Sequence, residues 1–156
     1  MSPVARLSLL VATGLGLAHA GFSLLWVLGS TWLLDTVGGQ IEERGREGGA
    51  GVRLALLLVV VVKVAAVAIV WVAVRRSGRV MRALAWSAAV VLTVYGSALT
   101  LGGAYVLSPA YELSPDADAF AIRWHAFFWD PWFLLWGVAA STALWASRLS
   151  VRHRDR

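Results

Sequence analysis

The chain has 156 residues, 59% of them apolar and only 15% charged, with a mean hydropathy of +0.71. These values exclude an ordinary soluble domain and call for an all-α, polytopic membrane protein. The formal charge of +5 would suggest nucleic acid in a soluble chain, but an arginine excess on one membrane face accounts for it, and the lack of cysteine removes disulfides and thiolate chemistry.

A helix crossing a hydrocarbon core of about 30 Å needs about 20 residues. Four stretches qualify: residues 7–34, 54–74, 83–107 and 131–147, expected to form one four-helix transmembrane bundle. The first follows Arg6 and contains Ala18-His19-Ala20, which imitates the cleavage site of a signal peptide. The apolar run continues to Leu34, where a cleavable signal would turn polar, so this span is expected to stay. His19 lies about 20 Å of helical rise from Arg6, deep in the hydrocarbon. The link at 35–51 is rich in glycine and charge, carries no aromatic anchor, and reads as a flexible outer loop. It lacks the lysine and hydroxyl residue that follow the glycines of a phosphate-binding loop.

The second span contains Lys63, the chain's only lysine, with its backbone about 16 to 18 Å from either end of the helix. A lysine at that depth costs about 2.5 to 3.5 kcal/mol, so it is expected to face the bundle interior, with a polar partner or water. On the third span Thr93, Ser97 and Thr100 form a polar stripe whose hydroxyls either face a cavity or bond back to carbonyls of their own helix, the second being expected. The next link reads Ser114-Pro115-Asp116-Ala117-Asp118, which predicts a helix capped by Ser114 with Pro115 at its first position, lying in the outer interface. Asp130-Pro131 predicts a fresh start for the fourth span, with Asp130 as its cap. Gly14 with Ala18, Gly16 with Ala20, and Gly137 with Ser141 have the spacing that lets helices approach closely.

Arg75, Arg76, Arg79 and Arg82 fill the link between the second and third spans, Arg148, Arg152, Arg154 and Arg156 follow the fourth, and Arg6 precedes the first. The positive-inside rule therefore places both termini in the cytoplasm, with residues 148–156 as a basic tail, in a multi-pass protein of the cell membrane. Trp71, Trp86 and Trp145 then fall at the inner boundary, and Trp32, Trp124, Trp129 and Trp132 at the outer, forming an aromatic belt.

Side chains on a helix lean toward its N-terminus, so Lys63 leans toward Asp130 across a depth gap of about 9 to 10 Å. A polar centre follows, with Lys63 bridged to Asp130, His19 close by, and Trp26, Trp129 and Trp132 lining a ligand. Asp130 and His19 are the candidates for acid–base chemistry. Arg123 and His125 read as surface contacts and His153 as part of the solvated tail. No metal-ligand cluster, nucleotide loop or cofactor is expected; a haem held by two histidines would need matched depths, which His19 and His125 lack.

The stretches Leu17–Asp35 and Phe127–Gly137 resemble a family of small bacterial four-helix membrane proteins known as a domain of unknown function. That family carries a histidine followed by Trp-x-x-Gly-x-x-Trp, and an aromatic-x-x-aspartate near its fourth helix. His19, Trp26, Gly29, Trp32, Phe127 and Asp130 stand at those places here, while Leu28-Gly29-Ser30-Thr31 stands where a double glycine is usual. The resemblance implies the topology and emphasises His19 and Asp130, but brings no activity with it.

Three functions compete. The first is a non-enzymatic protein holding a lipid-like small molecule or a membrane partner. The second is a membrane-embedded enzyme using Asp130 or His19 on an isoprenoid-like substrate, with tryptophans stabilising developing positive charge. The third is a small transporter or proton-coupled carrier working as a dimer, a homo-oligomer because four helices enclose little volume. The depth and partner of Asp130 separate them.

Overall fold

The computed structural model describes residues 1–76 and 78–152, with side chains through Arg148. Helix α1 spans Pro3–Val27, opened by Ser2, whose hydroxyl accepts the Ala5 N–H at 3.2 Å, and by Pro3, whose missing N–H is not needed in the first turn. It stops short of the expected Leu34. Gly29 (φ +93°) and Leu33 (φ +58°) turn the chain back, and the Trp26 indole donates to the Trp32 carbonyl at 2.9 Å. Leu34 and Thr36 are thereby buried.

The link expected as a flexible loop carries helix α2, Gly39–Glu47, with an Arg46–Glu42 pair at 2.9 Å one turn apart. Gly45 sits against Leu34, so close that a methyl group there would meet its side chain at 2.8 Å. Helix α3 spans Ala50–Arg75 and α4 spans Arg79–Val106. Helix α5, Ala119–Trp124, starts later than Ser114 predicted: Asp118 is its cap and accepts the Ala121 N–H at 2.9 Å. The chain then passes through a π-helical segment, His125–Trp129, directly into α6, Asp130–Arg152. The expected fresh start is thus replaced by a widened turn, in which the Asp130 N–H donates to the His125 carbonyl five residues back. Pro131 has no N–H to give, and an interior proline disrupts the ordinary ladder, which a π segment accommodates.

Helices α1, α3 and α4 are long and apolar enough to cross a membrane. Helix α6, expected as a fourth span, is not among them, because tryptophan, serine, threonine and glycine dilute its apolar stretch. It packs against α4 and α1, while α3 packs against α1 and α4. All four contribute to one buried cluster that includes Leu9, Val67, Val70, Ala85, Trp136 and Leu144. The α4–α6 contact is the tightest, with the backbones meeting at Gly96 and Gly137. At the arginine-rich end, Arg82 donates to the Leu144 carbonyl at 2.7 Å and the Ser147 hydroxyl at 3.2 Å, tying α4 to the end of α6. Arg75 stacks over Trp71 and Arg148 over Trp86. His153 and the tail beyond it lie outside the described residues.

Candidate functional site

The single centre expected around Lys63 and Asp130 is two separate centres. His19 and Ser23, four residues apart, share the face of α1 that meets α3, and both are buried. Lys63 reaches across from α3, its Nζ 2.9 Å from His19 Nδ1 and 2.7 Å from Ser23 Oγ. As an ammonium Lys63 only donates, so Nδ1 accepts and the imidazole proton sits on Nε2. Nε2 is buried and has no hydrogen-bond partner. Rings close over the imidazole: Phe133 at 4.4 Å between centroids, Trp129 at 5.6 Å and Trp132 at 5.7 Å. Trp26 lies one layer further out, edge-to-face with Trp129 at 5.9 Å, and Phe22 joins Trp129 and Trp132. Trp132 is fixed by donating to the Leu15 carbonyl at 3.0 Å.

Asp130 does not pair with Lys63. Among the described residues its ion-pair partner is His125, with Nδ1 to Oδ1 at 3.4 Å, and no carboxylate lies within ion-pair distance of Lys63. In an α-helix, residues five apart point about 140° from one another. The widened π turn brings His125 and Asp130 onto one side. His125 Nε2 donates to the Val37 carbonyl at 3.2 Å, and Trp129 Nε1 to Thr36 Oγ1 at 3.0 Å, so the segment after α1 docks on the π turn through both residues.

Asp130 and His125 line a cleft of about 370 Å³ together with Val37, Leu99, Asp118 and Ile122. A second, almost wholly apolar groove of about 460 Å³ runs along α1 between Phe22, Leu25, Leu28 and Trp132. His125, read from sequence as a surface contact, is therefore the partner of the buried acid. Its only sequence signal is the i, i+5 spacing to an aspartate that precedes proline. Ser23 was missed too; its signal is the i, i+4 relation to His19.

Both His125 nitrogens face oxygen acceptors, which favours the doubly protonated ring. The hydrogen bond to Asp130, helped by that carboxylate's charge, raises the His125 pKa above the ordinary imidazole value despite partial burial. The stability this adds is fully present below about pH 6.5, the unfolded value, and is lost as pH rises through the higher folded value. Melting temperature is expected to fall over that interval in the native chain and to stay flat in His125→Gln. Identical pH profiles for the two would refute the assignment.

The chemistry available is limited. A lysine in hydrogen-bond reach of a serine is the pairing of Ser–Lys hydrolases, but Ser23 is 1% exposed and lines neither cleft. His125 spends one nitrogen on a backbone carbonyl, and Thr93 bonds back to the Ala89 carbonyl at 2.8 Å. No group of three or more metal-ligating side chains occurs among the described residues. Compared with known proteins, residues 16–140 match a family described as "Protein of unknown function (DUF3995)". No curated protein and no solved structure matches the chain.

Proposed function

The chain belongs to the DUF3995 family of unknown function, and on that premise we propose that it is a four-span membrane protein that holds a small lipid-like ligand at an intramembrane polar centre. In this reading α6 is the fourth span, shielded by α1 and α4, and both termini face the cytoplasm. The arginines at the junction of α3 and α4 and at the end of α6 support that orientation. Indole rings at both ends support an aromatic belt.

One observation carries the ligand reading. Lys63, His19 and Ser23 form a hydrogen-bonded cluster deep within apolar helices, walled by aromatic rings, and Lys63 remains only half-buried. A polar group in hydrocarbon marks a functional position by default. The enzyme reading loses weight because Asp130 and His19 no longer share a site, and the transporter reading because no carboxylate lies beside the deep lysine.

Native mass spectrometry of the protein extracted in mild detergent is the test. An amphiphile should leave with the native chain and be absent from a Lys63→Leu/His19→Leu variant that still melts cooperatively. A native chain that is always empty, across several host membranes, would end this reading. A reporter fused to the C-terminus should be active only on the cytoplasmic side.

A further inference from the structure

The Lys63 ammonium has hydrogen-bond partners but no countercharge. Its two neighbours, His19 and Ser23, are neutral acceptors, and no described carboxylate is within ion-pair distance. Hydrogen bonds satisfy donors, but they do not cancel a charge placed in hydrocarbon.

The missing anion cannot come from a second copy either. The chain's acids are Asp35, Glu42, Glu43, Glu47, Glu112, Asp116, Asp118, Asp130 and Asp155. None lies within α1, α3 or α4, and Asp130 is already engaged by His125. A neighbouring copy in the same orientation would therefore bring valine, leucine and alanine to the depth of Lys63. The countercharge has to arrive on another molecule.

The surroundings restrict that molecule. On α3 the buried residues Val67, Val70 and Ala73 all lie between Lys63 and Arg75. On the other side of Lys63, Val60, Val59 and Leu56 continue its face one and two turns away, and none is buried. On α3, Lys63 thus stands where the fully buried positions end and a partly exposed apolar stretch begins. An occupant must have a head small enough to sit beside an ammonium far from either surface, one negative charge, and a chain that fits alongside valine and leucine. A phospholipid headgroup is too large and too strongly hydrated to reach that depth.

Resting on the ligand reading above, we propose that the ligand is a single-chain amphiphile with a carboxylate head, of the long-chain fatty-acid class, whose carboxylate forms the ion pair with Lys63. The third ammonium proton, left over after His19 and Ser23, is the donor it uses. The tail lies along Val60, Val59 and Leu56. Trp129 and Trp132 pack on His19 close to that head.

A brominated fatty acid quenches nearby tryptophan, so dibromostearate and its methyl ester can be titrated against the full chain in nanodiscs of neutral lipid at pH 8. The acid is expected to bind at least ten-fold more tightly than the ester. Lys63→Gln should reduce the acid to the ester's level, and Lys63→Arg, which keeps the charge, should retain most of the preference. Equal binding of acid, ester and the matching alcohol would overturn the carboxylate assignment while leaving a lipid-like ligand in place. If none of the three binds, the ligand reading itself fails. An acid preference that survives Lys63→Gln would move the anion site elsewhere and refute the proposal.

Discussion

Gly96→Ala is expected to destabilise the protein by about 3 kcal/mol, the upper end of what overpacking a tight contact usually costs. A methyl group at Gly96 would lie 2.8 Å from both the Asp130 carbonyl oxygen and the Leu134 Cα. Those are backbone atoms of α6, so no side chain can rotate out of the way. The contact is reciprocal: a methyl at Gly137 would meet the Thr93 N at 2.5 Å and the Ala89 carbonyl oxygen at 2.9 Å. Gly137→Ala should cost a similar amount, and the helices would have to separate along their whole contact to relieve either change. Gly14 is the control, because nothing lies within 4 Å of a methyl added there. Gly14→Ala should be neutral or stabilising by up to about 1 kcal/mol, since alanine is the better helix former. Thermal unfolding in one detergent compares all three. A Gly96→Ala protein that melts with Gly14→Ala would show that α4 and α6 are not in backbone contact.

Removing Lys63 and Asp130 together is expected to cost the sum of the two single losses, within about 0.5 kcal/mol, because they share no hydrogen-bond partner. The pairs that do touch should behave differently. For His125 with Asp130, and for Lys63 with His19, alanine double-mutant cycles should give coupling energies of about 0.5 to 3 kcal/mol. Asp130→Ala alone should be the most costly of these single changes, because it removes the carboxylate that orients His125, the residue through which Val37 docks. Coupling between Lys63 and Asp130 that equals the His125–Asp130 value would restore the single centre and remove the structural basis for the two sites.

The contrast between these cycles shows why part of the site was legible and part was not. Position along a helix can be counted in residues, and the count singles out Lys63, His19 and Asp130 as polar groups within or beside apolar runs. Which of them meet depends on rotation about the helix axis as well as on depth. Helix α1 turns His19 and Ser23 toward α3, so they capture Lys63. The π segment turns Asp130 toward His125, and no α-helical period drawn on the sequence includes that extra residue per turn. The outer link misled for a related reason. Glycine and charge suggested a loop, but the Leu34 side chain beneath Gly45 and the Glu42–Arg46 pair hold residues 39–47 helical.

By itself the sequence determined that the chain is helical, with helices long and apolar enough to cross a membrane, because run length and hydropathy are local quantities that can be set against the thickness of a bilayer. It also determined that the chain's single lysine interrupts a long apolar run that holds no acid, since this follows from position along the chain alone. Only the tertiary structure decided that Lys63 belongs to His19 and Ser23, that Asp130 belongs to His125, and that the buried residues of α3 all lie on the Arg75 side of Lys63. Those outcomes depend on the azimuth of each helix, and azimuth is settled by packing: the backbone contact at Gly96 and Gly137, and the rings stacked around His19.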